Sequence, residues 1–194
     1  MAYINNNQKD DQIILAAKQG NVKEVEELIQ KGHDVNTTDS EGSSPLMYAA
    51  ESGNIKLVEV LLNNGGYLLQ ANKCLRTPLH FAMQRGNKEM VVFLLSNGAR
   101  VGIRDHAGNT PLNLAVIRAA VDIVKLLATP NVIDIPNDRN NTPLDNAIEM
   151  YRVAIYNTSD YDIITRFLLS KNAKSLSPVI PEYHHKRMIE LNKK

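Results

Sequence analysis

The stretch TPLHFAMQRGNKEMVVFLLSNGA, residues 77–99, decides the fold because its opening recurs before and after it. Three related Ser/Thr-Pro-Leu triplets lie at residues 44–46, 110–112 and 142–144. The four prolines are 33, 33 and 32 residues apart. A period of this length predicts a stack of repeated supersecondary units.

One unit is predicted to be a pair of short antiparallel helices. The Thr-Pro pair at 77–78 suits the N-cap and first position of a helix, where the missing proline N–H costs nothing. The Gly-Asn pair at 86–87 ends this helix, and a second helix follows over about 88–96. Each helix is too short to persist alone in water. We therefore expect stacking to stabilise the fold, with Leu94 buried between helix layers.

The full pattern resembles that of the ankyrin-repeat proteins, which runs D-x-x-G-x-T-P-L-H-x-A-A-x-x-G-N-x-x-V-V-x-L-L-x-x-G-A-D-V-N. Its tetrapeptide, glycine breaks and leucine pairs recur in phase over roughly residues 11–175. The resemblance implies an all-α solenoid of about five stacked helix-turn-helix repeats joined by β-hairpin-like loops. It also implies a non-catalytic protein-interaction module, an adaptor or scaffold.

The repeat phase predicts the domain organisation. A flexible lead-in at residues 1–10 precedes the repeats, and residues 176–194 form a linker with a capping helix or a basic tail. The first repeat lacks the Thr-Pro-Leu start, as is typical of a capping repeat. The five repeats span 11–38, 39–71, 72–104, 105–136 and 137–175.

The fifth repeat contains an insertion near residues 151–161, because its second helix arrives about nine residues late. An extended first helix followed by a projecting loop at 157–160 would accommodate the extra residues. Tyr151, Tyr156 and Tyr161 lie in this segment. They are either binding residues or packing residues, and we expect at least one to pack against the last repeat.

Composition limits the classes of function. A formal net charge of +1 favours neither a nucleic acid nor a membrane surface as partner. The single Cys74 excludes an internal disulfide framework, and no stretch approaches the ~18 apolar residues of a membrane-spanning helix. The polar start lacks the apolar core of a signal peptide.

These features predict a monomer without a cofactor that resides in the cytoplasm. Frequent asparagine and absent tryptophan are also typical of AT-rich genomes such as those of some intracellular bacteria. The chain would act in a host cytosol if it is a secreted bacterial effector.

The resemblance places the binding surface on the concave side, which is built from hairpin tips and exposed inner-helix positions. Acidic residues match these positions in repeat two and basic residues in repeats three to five, which favours a partner protein with an acidic surface. The alternative is that these are ordinary solubilising charges. The predicted partner-binding residues are Glu41, Glu51, Lys73, Arg76, Gln84, Arg85, His106, Asn109, Arg118 and Arg139.

No catalytic or metal-binding motif is found in the sequence. His80 matches the family's structural histidine, which hydrogen-bonds between repeats, and Cys74 has no His or Asp partner in phase. The adjacent His184 and His185 would not point together on a helix. Two other functions stay open. One is nucleic-acid binding through the basic strip, and the other is an enzyme with an unrecognised site.

Overall fold

The computed structural model describes residues 6–154 and 158–177, and within them it contains ten helices and no strand. The predicted all-α fold class is therefore confirmed. The helices are α1 (Asn6–Gln19), α2 (Val22–Gln30), α3 (Pro45–Ser52), α4 (Ile55–Asn63), α5 (Pro78–Arg85), α6 (Lys88–Ser96), α7 (Pro111–Ile117), α8 (Val121–Leu127), α9 (Pro143–Val153) and α10 (Thr158–Ser170).

The chain divides into two compact units, unit 1 (Met1–His106) and unit 2 (Ala107–Lys194). Within unit 1, α1 packs on α3 and α3 on α5, while α2 packs on α4. Within unit 2, α7 packs on α9 and α8 contacts α10. The described helices thus form three helix pairs in unit 1 and two in unit 2, as the predicted count of about five repeats requires.

Apolar residues at the repeated positions fill the space between helices. Leu46, Leu79 and Leu94 are fully buried in unit 1, and Leu112 and Leu127 are fully buried in unit 2. Burying a leucine side chain stabilises a fold by about 1.5–3 kcal/mol. The stack therefore supplies the stabilisation that its short helices lack on their own.

Local capping fixes where the helices begin. Thr110 Oγ1 accepts a hydrogen bond from the Asn113 amide at 3.3 Å, at the start of α7. Asparagine caps the second helix of three repeats, as where Asn87 Oδ1 accepts from the Met90 amide at 2.9 Å. Asn54 both caps α4 and donates from Nδ2 to the Gly20 carbonyl, 3.2 Å away in the preceding repeat. The Gly-Asn break therefore joins repeats as well as ending a helix.

The ends of the repeat region differ in part from the prediction. α1 begins at Asn6, inside the segment expected to be a lead-in, and residues 1–5 lie outside the described residues. The predicted capping helix or basic tail also lies outside them from residue 178 onward.

Within the insertion in the fifth repeat, residues 151–153 and 158–161 are helical. α9 has 11 residues, whereas the other Pro-initiated helices have seven or eight, so the extended first helix is confirmed. Thr158, Ser159 and Asp160 form the first turn of α10, so the prediction of a loop at these residues was wrong. Short polar side chains suit a helix N-terminus as well as a turn. Residues 155–157 lie outside the described residues.

Candidate functional site: tips and inner helices

The hairpin tips are built on a repeated polar residue at their first position. Asp39 Oδ1 accepts hydrogen bonds of 2.9 Å from the amides of Glu41 and Ser43. Asn72 Oδ1 accepts bonds of 3.0 Å from the amides two and four residues later, and Asn137 Oδ1 does the same in unit 2 at 3.0 and 3.1 Å. This side-chain acceptor closes each tip. The backbone that carries the next side chains is therefore held in one conformation.

Neighbouring tips are joined by backbone hydrogen bonds in one register. In unit 1 the Lys73 amide donates to the Glu41 carbonyl at 3.0 Å, and the His106 amide donates to the Cys74 carbonyl at 2.9 Å. In unit 2 the Asp138 amide donates to the Ala107 carbonyl at 3.1 Å. Each unit thus presents its tips as a ladder with a regular spacing between side chains.

None of the predicted binding residues is buried. The exposed ones are Glu41, Lys73, Arg85 and His106 in unit 1, and Arg118 and Arg139 in unit 2. The half-buried ones are Glu51, Arg76 and Gln84 in unit 1, and Asn109 in unit 2. All ten side chains are therefore at least partly exposed, and a partner protein could contact them.

Four charged residues of unit 1 have no compensating charge in the part of the chain that the structure describes. Glu41, Glu51, Lys73 and Arg85 take part in none of the ion pairs found there. Their charges are therefore available to another molecule.

Arg76 differs from the other predicted basic residues because its charge is already paired. Its Nε lies 3.8 Å from Oδ2 of Asp105, a carboxylate whose side chain is only 3% exposed. Removing one partner of such a pair leaves a charge in a poorly solvated position, which is destabilising. Arg76 is thus part of the framework of unit 1, and reversing its charge would disturb the fold.

Asn109 also has a structural contact. Its Oδ1 accepts a hydrogen bond of 3.1 Å from Nδ2 of Asn137, which ties two tips of unit 2 together. The sequence placed Asn109 at an exposed tip position but could not reveal this partner, 28 residues away along the chain.

A cluster around Tyr48 in unit 1 was missed by the sequence reasoning. The Tyr48 hydroxyl donates to Oδ2 of Asp39 at 2.5 Å, and Lys18 Nζ lies 3.5 Å from the same oxygen and 4.2 Å from the Tyr48 ring centroid. The rings of Tyr48 and Phe81 meet edge to face, with centroids 5.9 Å apart. An aromatic residue at an inner-helix position was the only sequence signal for this cluster.

The cluster changes the ionisation of both acids. Burial acts to raise the pKa of the Asp39 carboxyl, but hydrogen bonds from Tyr48, Ser43 and Glu41 outweigh it, and with the Lys18 charge they bring this pKa below its ordinary value. Burial and the hydrogen bond to Asp39 raise the pKa of Tyr48. At neutral pH the tyrosine is therefore a donor held against a carboxylate.

His80 is a buried structural residue, with a side chain only 1% exposed. Its Nδ1 accepts a hydrogen bond from the Thr77 amide at 3.2 Å and lies 2.9 Å from Thr77 Oγ1. These contacts close a capping box at the start of α5. Both contacts lie within the third repeat, and the hydrogen bond between repeats that the resemblance implies for this histidine stays a prediction.

The sequence analysis also considered a reactive thiol, a metal site and a membrane-spanning helix. Cys74 is an exposed free thiol at a tip. Among the described residues, no three His, Cys, Asp or Glu side chains group as a metal site. None of the described helices is both long and apolar enough to span a membrane. His184 and His185 lie outside the described residues.

Comparisons with protein-family models agree with the repeat geometry. A model of three ankyrin-repeat copies matches residues 13–105, and a single ankyrin-repeat model matches residues 107–141. Together they cover more than half of the chain. A search of curated proteins found no match.

Proposed function

Because this chain belongs to the ankyrin-repeat family, we propose that it is a non-catalytic adaptor that binds a partner protein through its hairpin tips and inner helices. Ankyrin repeats are generally protein–protein interaction modules. The resemblance implies that the binding face consists of the tips and the adjoining inner-helix ends of each unit.

The observation that carries this proposal is the set of uncompensated charges on a rigid frame. Lys73 and Arg85 are exposed in unit 1 and pair with none of its described acidic side chains. The Lys73 backbone is held by its bond to the neighbouring tip. A backbone that is already held does not have to be ordered when the side chain it carries meets an oppositely charged group. We therefore propose that acidic side chains of the partner contact these two residues.

The proposed test compares two double charge reversals of equal net charge. Lys73→Glu with Arg85→Glu alters the proposed face, and Lys23→Glu with Lys56→Glu alters exposed positions of the outer helices α2 and α4. Lys56 takes part only in a surface pair with Glu59 at 3.7 Å, which contributes little to stability. Both variants should keep the wild-type circular dichroism spectrum.

Binding is first measured by capture from cytosolic extract, with proteins identified by mass spectrometry. We call Lys73→Glu with Arg85→Glu the tip variant, and Lys23→Glu with Lys56→Glu the outer variant. A partner that the tip variant fails to capture and the outer variant still captures supports the proposed face. Calorimetry with that partner at two salt concentrations should then show weaker binding at high salt. Equal losses from both variants, or none from the tip variant, would contradict it.

The same variants separate protein recognition from nucleic-acid binding. Binding of DNA or RNA that falls steeply with salt, and that the tip variant abolishes, would replace the protein partner by a nucleic acid. The near-neutral net charge of the chain favours the protein partner.

A further inference from the structure

Resting on the proposed function, we infer that unit 1 recognises an extended partner segment in which an apolar, a basic and an acidic side chain follow one another, with the basic one in the middle. In unit 1 the first repeat presents an apolar group, the second an acidic group and the third a basic group. We call these groups the apolar, acidic and basic steps. These groups lie at the tips and on the inner helices α1, α3 and α5 of the three repeats.

The apolar step lies on the first repeat. Leu15, Tyr48 and Phe81 occupy equivalent positions in α1, α3 and α5. Leu15 is 56% exposed and Tyr48 is half-buried, whereas Phe81 is only 6% exposed. Accessible apolar surface on this row is therefore concentrated at Leu15 and the adjoining Tyr48.

Within residues 12–19 of α1, the one charged side chain beside this apolar surface is already paired. Lys18 lies one turn after Leu15, but its ammonium pairs with Asp39 and covers the Tyr48 ring. The hydrogen bond from Tyr48 to Asp39 also fixes the aromatic side chain. Rigid aromatic and apolar groups of this kind are the usual anchors of protein interfaces.

The acidic and basic steps follow on the next two repeats. Glu41 at the tip and Glu51 on the inner helix belong to the second repeat, and Lys73 and Arg85 occupy the third. None of these four enters an ion pair among the described residues. Charge complementarity therefore calls for a basic side chain opposite the second repeat and an acidic one opposite the third.

The spacing of the repeats sets the spacing of the partner residues. Packed helices lie ~8–10 Å apart, and an extended chain advances ~3.3 Å per residue. One repeat therefore corresponds to about three residues of an extended segment. The fitting segment carries its apolar, basic and acidic residues at every third position, in either chain direction.

The test uses three synthetic nonapeptides of identical composition and the full-length protein. Each carries leucine, arginine and glutamate at every third position with serine between them, and they differ in which of the three is in the middle. Fluorescence anisotropy should show that the arginine-centred peptide binds about five-fold more tightly than the other two. Since reversing a peptide keeps its middle residue, the comparison does not depend on chain direction.

A charge-swap variant provides a matched reversal. Replacing Glu41 and Glu51 with Lys, together with Lys73 and Arg85 with Glu, keeps the net charge and exchanges the two charged steps. The glutamate-centred peptide should then become the tightest binder. Leu15→Ser should weaken binding of the arginine-centred peptide to the wild type and of the glutamate-centred peptide to the charge-swap variant. It should leave the circular dichroism spectrum unchanged, because this side chain is largely exposed.

Each adverse outcome is distinct from failure of the proposed function. Equal binding of the three peptides, or no binding by any of them, overturns the inferred order. A fourth peptide with two glutamates and no arginine that binds as tightly as the arginine-centred one overturns it while leaving an acidic partner in place. Loss of partner capture with the tip variant of unit 1 is measured independently of these peptides.

Discussion

The Tyr48 hydroxyl donates a 2.5 Å hydrogen bond to Oδ2 of Asp39, which joins the inner helix of the second repeat to its tip. Tyr48→Phe removes this bond and should lower the free energy of unfolding by about 1.5–3 kcal/mol, the usual contribution of a bond to a charged group. It should also raise the pKa of Asp39 towards its ordinary value, because one of the bonds that lower this pKa is lost. Urea unfolding and NMR titration of the carboxyl measure the two effects.

The control for Tyr48 is Tyr67→Phe. Tyr67 is 62% exposed, and none of the side-chain hydrogen bonds of the described residues involves its hydroxyl. This variant should unfold like the wild type. An equal effect of both substitutions would mean that the Tyr48 hydroxyl is not a stabilising donor.

Leu94→Ala should destabilise unit 1 by roughly 2–5 kcal/mol, because the deleted atoms leave a cavity in a packed layer. The side chain is 0% exposed, as the sequence predicted. Val92→Ala, on the same helix at a position 42% exposed, is the control and should have a much smaller effect. Hydrogen exchange should lose protection in neighbouring repeats as well as in residues 72–104, since each repeat is stabilised by its neighbours. A loss confined to α6 would argue against this coupling.

Gly53→Ala should destabilise the fold more than Gly86→Ala. Both glycines end an inner helix with a positive φ, 74° and 64°, so an alanine is strained at either position. A Cβ at Gly53 would in addition clash with Nδ2 of Asn87, whose side chain caps α6, whereas a Cβ at Gly86 meets no atom within 4 Å. Thermal unfolding of the two variants should differ by about 1 kcal/mol, the usual contribution of an N-cap. Equal stabilities would show that Asn87 can move without losing its cap.

Asp145 should make the stability of unit 2 depend on pH. Burial acts to raise the pKa of its carboxyl, but hydrogen bonds from Ser175, Leu176 and Thr142 outweigh this and lower the pKa below 3.8. The stabilisation is therefore complete above about pH 5 and is lost as pH falls through the folded-state pKa. Asp145→Asn should cost about 1–3 kcal/mol at pH 7, because the amide cannot accept all of these bonds.

The pH dependence of that difference is the decisive measurement. Urea unfolding at pH 7 and pH 3 should show a smaller gap between wild type and Asp145→Asn at the lower pH. A gap that does not change would mean that the carboxylate charge is unimportant.

Much of the fold could be predicted because its signals are local. The Thr-Pro pair at 77–78, the asparagine at 87 and the following glycines act on the backbone within a few residues of themselves, so their meaning does not depend on distant contacts. Polar residues 158–160 were ambiguous, since the same side chains suit a turn and a helix start. Tyr161 resolves the choice, because it is buried and its hydroxyl donates to the Ile117 carbonyl at 2.8 Å, 44 residues away.

The candidate site was predictable only as a set of positions. Repeat phase alone placed Lys73 and Arg85 at accessible positions, and the structure finds both exposed. It could not distinguish them from Arg76, whose charge is paired with Asp105. The position of a residue in the repeat predicts whether its side chain is exposed, but it does not predict which residue of another repeat that side chain contacts.

The repeat period and its capping residues, by themselves, determined that this chain forms stacked helix pairs, because each such residue acts through the backbone nearest to it. Only the tertiary structure decided which charges are free, since pairing depends on atoms brought together from different repeats. Among the residues that the structure describes, Lys18 and Arg76 are neutralised in this way, while Glu41, Glu51, Lys73 and Arg85 are not. Coulombic attraction falls off with distance through space and is indifferent to separation along the chain.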